Sequence, residues 1–470
     1  MIIKTSLSDV VGASMTSTLL ELLQKYSVPG PRYTSYPTAP YFRTGFSETD
    51  WTDELAAASP DRGLSLYAHI PFCDTLCHFC GCNMVATRDY SKTQPYLAYL
   101  DQEMAHTAQR VDPGRMVHQL HWGGGTPTYL NPGDIRRLMD MMRRHFTLAA
   151  DAEISCEIDP RELTREHLVA LRESGFNRVS FGVQDMDPDV QQAVNRIQSQ
   201  TLIQQVLDWS RELGFSSINL DLIVGLPKQT VASFRHTLEQ VTEWSPDRLA
   251  VFAYAHVPWL KKHQRLIKEE DLPDSATRLG LQQAVNEMLG AVGYVNIGLD
   301  HFARPDDELV RAQQNKTLWR NFQGYTTHKD CDILAFGVSS ISQTADVYMQ
   351  NEKNLKRYQE RIAATGLAVE RGLRLTRDDQ IRRDAITRVM CDLELDFATF
   401  GQEWNIAFTD YFADALTDLR PLADDGLVTV VSDRISVTPR GRLFLRNIGM
   451  CFDRYLKETA STQPRYSRTA

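Results

Sequence analysis

No apolar run in the chain approaches the ~20 residues that span a bilayer. The start, Met1-Ile-Ile-Lys-Thr-Ser, also lacks an apolar core followed by a small-residue cleavage site. A cytoplasmic protein is therefore expected, and in that reducing compartment clustered cysteines read as metal ligands or redox groups, not disulfides. Positive charge is in deficit: 51 Lys and Arg against 60 Asp and Glu leave a net charge of -9. Nucleic-acid binders need a dominant basic face, so no nucleic acid is expected as partner. The dinucleotide fingerprint Gly-x-Gly-x-x-Gly does not follow the first predicted strand, and the glycine run at 123–125 lacks the Gly-Lys-Ser/Thr of a phosphate loop. No second cysteine pair matches the two knuckles of a structural zinc site.

Cysteine itself is scarce but crowded. Of eight in 470 residues, four fall within residues 73–83, as Cys73, Cys77, Cys80 and Cys82. Four sulfurs on one short loop can converge on one metal centre, and an iron-sulfur cluster, several ångströms wide, can take three ligands from one loop at three corners. Cys156, Cys331, Cys391 and Cys451 stand alone and read as small buried apolar residues.

From residue 64 short β-branched and aromatic runs alternate with helical periodicity. They are Leu64 to Ile70, Val117 to Trp122, Ala152 to Glu157, Arg178 to Val183, Ile218 to Val224 and Arg248 to Ala255. Between them, Asn131 and Pro132 open a helix with Ile135, Leu138, Met139, Met142 and Phe146 at helical spacing. Six strand-helix units imply parallel strands with right-handed crossovers. Polar residues fall at or past the strand ends: His69, Gly123 to Thr126, Glu157, Gln184, Asp221 and His256. In a barrel those ends meet at one mouth. The expected fold is thus α/β, a partial (β/α)6 TIM-like barrel with a smaller, mostly helical C-terminal domain.

Three segments are expected: an N-terminal arm over 1–50 that covers the site, the barrel with its extension over 51–370, and a helical domain with a β-hairpin over 371–470. The arm holds a helix from Ser17 to Tyr26 and a proline-rich extended path over 29–40. The last domain is acid-rich, which suits packing or a lid better than DNA. It should carry a hairpin, Leu427 to Val431 with Arg434 to Thr438, then one helix from Gly441 to about Leu456; the tail from about Ala460 reads as disordered.

The spacing C-x3-C-x2-C, with Phe79 before the third cysteine, resembles the signature of the radical S-adenosylmethionine (SAM) enzymes. Further segments extend the likeness: Gly30-Pro-Arg-Tyr-Thr-Ser-Tyr-Pro-Thr, the extra Cys82, Trp122-Gly-Gly-Gly-Thr-Pro-Thr, Gly182-Val-Gln-Asp, Asp221-Leu-Ile-Val-Gly-Leu-Pro, Asp300-His-Phe-Ala-Arg-Pro and Asn321-Phe-Gln-Gly-Tyr-Thr-Thr. Together they resemble the oxygen-independent coproporphyrinogen III dehydrogenases, with one departure at Val224, where relatives often carry Tyr.

The resemblance implies a 4Fe-4S cluster on Cys73, Cys77 and Cys80 with one iron left for SAM, and two SAM molecules per substrate. Gly125 and Thr126 would meet the methionine end of SAM. Glu157 and Arg196 would engage its amino and carboxylate groups, Gln184 and Asp221 its ribose, and the Ala255 backbone its adenine. Tyr67 and Ile341 are similar to cofactor-associated positions, and Cys82 is implied in the reaction, not in the cluster. His69 is either a group beside the cluster or a satisfied barrel histidine. The implied activity is decarboxylation of two propionates of coproporphyrinogen III to vinyl groups, fed by an electron donor such as a flavodoxin or ferredoxin. Arg32, Arg304 and Arg320 are candidates for the substrate's carboxylates, and a monomer is expected. The alternatives are a haem-binding chaperone or a haem-modifying enzyme of the same superfamily. The chaperone typically lacks the fourth cysteine and carries His-Asn-x-x-Tyr-Trp, a motif absent here.

Overall fold

In the computed structural model, residues 19–458 and 466–469 are described. Six parallel strands follow the expected runs closely: β1 Gly63–Ile70, β2 Val117–Gly124, β3 Leu148–Ile158, β4 Arg178–Gln184, β5 Ser217–Val224 and β6 Arg248–Ala253. The sheet continues with β7 Val295–Gly298, β8 His301–Ala303, β9 Cys331–Phe336, β10 Ile341–Gln343, β11 Val347–Asn351 and β12 Val369–Arg374. Its order is β12-β11-β10-β9-β1-β2-β3-β4-β5-β6-β8-β7. The ring stays open because β1 and β6 do not pair: β9 joins β1 in parallel, and β8 joins β6 antiparallel.

The helix-covered face of these strands is buried, while alternate residues such as Ser155, Ser180, Asn219 and Asp221 face a cavity inside the barrel. Leu66, Trp122, Phe181, Leu220 and Leu249 are fully buried in the barrel core. The helix Pro132–His145 starts as its sequence dictates, with the Asn131 side chain accepting from Asp134 N–H at 2.9 Å and Ile135, Leu138, Met139 and Met142 buried.

A second core gathers Phe400, Leu419, Leu427, Phe444 and Ile448 from the C-terminal part, Ile297 and Leu318 from the extension, and Leu22, Leu23, Tyr33 and Tyr36 from the arm. Residues 19–26 are helical, whereas Ser17 and Thr18 lie outside the described residues. The proline-rich path is tied down: Tyr33 Oη donates to Asp453 at 2.9 Å, and Arg446 donates to the carbonyl of Pro31 at 3.1 Å.

Three expectations in this part need correction. The hairpin forms as Val428–Val430 with Arg434–Val437, but Glu394–Asp396 adds a third strand beside it. The single helix after Gly441 is instead a 3-10 turn Gly441–Phe444, a helix Leu445–Met450 and a separate helix Arg454–Glu458. It breaks where Asp453, buried, turns its carboxylate to Tyr33 and the backbone N–H of Leu456. The tail is also not uniformly loose: Gly30 N–H donates to Ser467 O at 3.1 Å and Thr469 N–H to Val28 O at 2.8 Å, so 466–469 pair with the arm. Residues 459–465 lie outside the described residues.

Candidate active site at the barrel mouth

The cysteine loop leaves β1 at Pro71, and its first residues form a short parallel ladder, Phe72–Cys73 with Val85–Ala86, that closes it. His69, at the end of β1, pins the far side: its Nε2 donates to the Asn83 carbonyl at 2.8 Å, so its Nδ1 accepts from Tyr67 Oη at 3.0 Å. Burial holds this imidazole below its ordinary pKa and therefore neutral. His69 is thus a satisfied histidine that ties strand to loop.

The glycine run lies against this loop. Gly125 donates to Ile70 O at 2.8 Å, and a Cβ there would stand 2.6 Å from both the Pro71 and Phe72 carbonyl oxygens. Only glycine lets β2 turn so close to the segment that presents Cys73. Thr126 follows, buried, with its N–H on Phe72 O at 2.9 Å and its hydroxyl accepting from Asp159 N–H at 3.0 Å.

A cavity of about 460 Å³ runs from the cysteine loop into the barrel. Cys73, Cys77, Cys80 and Cys82 line one end of it, with Gly125, Glu157, Gln184, Arg196 and Asp221 along its wall. Among the described residues no three Cys, His, Asp or Glu side chains converge closely enough to hold a single metal ion. Three thiols along one wall suit a multi-iron cluster, whose irons occupy separate corners, better than one tetrahedral zinc. Two arginines reach the same sulfur: Arg161 Nη2 donates to Cys77 Sγ at 3.3 Å and Arg196 Nη1 at 3.6 Å. Hydrogen bonds to cluster sulfurs are one means of tuning its potential. Cys80 Sγ accepts from Cys82 N–H at 3.4 Å, and the hydrogen bond from the Cys82 thiol outweighs burial to bring Cys80 down to about 6.

Arg196 is buried and also grips Gly182 O at 2.6 Å and Asp159 at 2.9 Å, while its Nε has no partner among the described residues. Burial works against ionising Asp159, but Arg196 and Arg161 outweigh it and hold that carboxyl at about 2. Glu157 faces the cavity with its side chain half-exposed, taking Gly124 N–H at 3.2 Å and His121 Nε2–H at 3.3 Å. Desolvation opposes its charge, yet those two partners keep its carboxyl below the ordinary range. Gln184 sits at the end of β4 in the left-handed region, φ 68°.

Asp221 accepts from Asn219 at 2.7 Å and Ser180 at 3.2 Å, and burial, with the facing charge of Glu157, raises it to about 7 against the pull of Arg196. The folded protein therefore holds a proton that the unfolded chain releases near pH ~3.9. Its cost to stability grows as pH rises from 4 to 7 and is constant above. Asp221→Asn should accordingly raise Tm relative to the parent at pH 8, with a smaller gain at pH 5 and almost none at pH 4, measured by calorimetry.

Ala255 is not part of the cavity wall; its carbonyl accepts from Gln264 Nε2 at 3.2 Å, beside the loop. Tyr67 and Ile341 instead line a separate cavity of about 230 Å³ with His69, His121, Glu157 and Phe322, so His121 and Glu157 touch both spaces. The three arginine candidates part company. Arg304 is exposed, directly after β8, with its N–H on Asp247 O. Arg32 is paired with Asp300 at 2.7 Å and with Ala253 O at 2.9 Å. Arg320, 8% exposed, lies over the Tyr325 ring at 4.9 Å, with Nε and Nη1 unpartnered among the described residues. Beside it His301, at the cavity wall, is pushed down to about 3 by burial and the Arg320 charge, and its Nδ1 is unpartnered among the described residues.

Sequence reasoning missed Arg161, Asp159, His121 and His301 as site residues. The Asp159-Pro-Arg161 step directly after β3 was the available signal for two of them. Against this geometry, a model of the Radical SAM superfamily matches residues 67–241 and one of the HemN C-terminal domain matches 375–444. The oxygen-independent coproporphyrinogen III oxidase of Escherichia coli (strain K12) is 52% identical over 444 residues, 94% of this chain and 97% of that protein. This chain belongs to the oxygen-independent coproporphyrinogen III oxidase family.

The oxidase of Pseudomonas aeruginosa is 46% identical over 451 residues, covering 95% of this chain and 98% of its own length. The solved structure of coproporphyrinogen III oxidase (HemN) from Escherichia coli, described as a radical SAM enzyme, superposes with a TM-score of 0.89 at 51% identity, covering 93% of this chain and 98% of that one. Oxidase and dehydrogenase name the same loss of electrons from the substrate. The chain is a radical SAM oxidoreductase of this family, whose chemistry rests on a 4Fe-4S cluster and SAM. Among the described residues no helix is long and apolar enough to cross a membrane.

Proposed function

We propose that the protein converts two propionate side chains of coproporphyrinogen III to vinyl groups without oxygen, giving protoporphyrinogen IX. The observation that carries this reading is one cavity bounded at one end by Cys73, Cys77 and Cys80 and reaching, at the other, His301 and Tyr325, with the unpaired Arg320 behind them. Cys73, Cys77 and Cys80 would hold the cluster, which with SAM bound supplies a 5'-deoxyadenosyl radical on one-electron reduction. Glu157 and Arg196 offer opposite charges to the amino and carboxylate groups of SAM, Gly125 and Thr126 the close backbone approach, and Gln184 and Asp221 polar groups for the ribose. Ala255 would meet the adenine through its backbone.

At each propionate a hydrogen atom would pass from the β-carbon to the adenosyl radical; carbon dioxide then leaves, one electron passes to an external one-electron acceptor, and the double bond forms. Cys82, exposed in the loop and facing the cavity, belongs to the reaction and not to the cluster. Arg320 answers one substrate carboxylate, because a buried guanidinium with unmade hydrogen bonds gains more from an anion than a paired one does. The adjoining cavity at Tyr67 and Ile341 supports a second SAM per substrate, since it shares Glu157 and His121 with the first. A monomeric, cytoplasmic enzyme fed by a small electron carrier completes the reading.

Anaerobic incubation of reconstituted protein with dithionite, SAM and coproporphyrinogen III should yield the divinyl product with release of methionine and two carbon dioxide molecules. A reduced cluster with no vinyl product would overturn the reading in favour of a haem-carrying role.

A further inference from the structure

Three of the seven large apolar side chains exposed among the described residues fall in one eight-residue stretch: Trp259 at 51%, Leu260 at 64% and Leu266 at 60%. The same stretch is strongly basic. Residues 259–268, Trp-Leu-Lys-Lys-His-Gln-Arg-Leu-Ile-Lys, hold four Lys and Arg and no acid, in a chain whose net charge is -9. Lys262, Arg265 and Lys268 are exposed, and no ion pair is found for them among the described residues. Such a surplus of apolar and one-signed charge on an acidic protein marks a contact surface.

Its position gives it a purpose. Three side chains within four residues clamp this stretch onto the cysteine loop: Lys261 Nζ donates to Cys82 O at 2.8 Å, His263 Nε2 to Cys80 O at 2.7 Å and Gln264 Nε2 to Phe79 O at 2.9 Å. The exposed side chains of 259–268 are therefore one residue removed from groups bonded directly to the loop that would carry the cluster. We infer that residues 259–268 form the docking surface for a small acidic electron-transfer protein. Resting on the function proposed above, this names where the reducing electron enters: the donor is oxidised by one electron, the cluster is reduced by one, and no proton or atom crosses.

The chemistry suits that partner. A basic rim steers an acidic carrier and selects against basic ones, while Trp259, Leu260 and Leu266 supply a small apolar centre. Electron-transfer complexes occupy the small end of interface sizes, so a ten-residue loop is sufficient to make much of one side. Affinity should then fall with added salt.

The test uses the reconstituted holoenzyme and a recombinant acidic flavodoxin. The triple variant Lys262→Glu, Arg265→Glu, Lys268→Glu spares Lys261, His263 and Gln264, which hold the loop. Calorimetric binding of flavodoxin should weaken by about 10-fold or more at low salt, and stopped-flow reduction of the cluster by reduced flavodoxin should slow in step. Iron content and dithionite-driven turnover should be unchanged. Trp259→Ala should weaken binding without altering its salt dependence. Flavodoxin binding and cluster reduction equal to the parent's would overturn the inference, as would loss of binding to anionic phosphatidylglycerol vesicles with flavodoxin binding intact, which would make the stretch a lipid contact. Because binding and cluster reduction need no porphyrinogen, a failure of the substrate reading leaves these two results distinct from it.

Discussion

Replacing Cys73, Cys77 or Cys80 singly with serine is expected to abolish the iron-sulfur absorbance and all product, because each would remove one of only three thiolate anchors. A serine oxygen in the same place is a poor ligand for iron near neutral pH, its proton being far harder to remove than a thiol's. Cys77 has the most to lose. It is the buried member of the loop, and both Arg161 and Arg196 direct N–H groups at its sulfur. With oxygen there, buried Arg196 and half-buried Arg161 would lose the sulfur and keep Asp159 as their carboxylate partner among the described residues. Cys82→Ser is the contrasting case: iron content and absorbance should match the parent, while product formation falls by about 100-fold or more, the scale of a lost proton-transfer group. Iron analysis and electronic absorption under anaerobic conditions decide the first point, and divinyl product the second. Equal cluster loss in all four variants would mean that Cys82 is a ligand.

Arg320→Met should divide stability from affinity. Arg320 is 8% exposed, and its Nε and Nη1 are buried and find no acceptor among the described residues. A charge in that state destabilises the empty protein, and removing one carboxylate partner from a charge-assisted pair costs about 2–3 kcal/mol. The variant is therefore expected to melt at or above the parent's Tm while its KM for coproporphyrinogen III rises by roughly 30- to 150-fold, as that free energy implies. His301 should also regain basicity, since the Arg320 charge contributes to holding it down. A lower Tm with an unchanged KM would make Arg320 a structural residue, with its charge serving the packing of Tyr325 against the C-terminal core.

Much of the architecture was legible because it rests on local periodicity. The six barrel strands and the Asn131-Pro132 helix start follow from residues adjacent in the chain. The same holds for the cysteine loop, whose four thiols need no fold to be brought together. What failed was of another kind. The broken helix after Gly441 and the docked tail at 466–469 depend on Asp453 meeting Tyr33 and on Arg446 meeting the carbonyls of the arm, contacts more than 400 residues apart in sequence. No local pattern carries such pairs.

The site divides along the same line. Sequence alone determined the cysteine loop, the close glycine turn and the polar strand ends, because parallel strands bring their C-terminal ends to one mouth whatever the details of packing. Tertiary structure decided which of those groups are engaged. It set Arg161 and Arg196 on one sulfur, satisfied His69 on both nitrogens, tied Arg32 to Asp300 and left Arg320 Nε and Nη1 without an acceptor among the described residues. It also clamped the basic stretch at 259–268 to the cysteine loop from nearly 200 residues away. The physical reason is that charge and hydrogen-bond satisfaction are properties of neighbours in space, whereas ligand spacing and strand register are properties of neighbours along the chain.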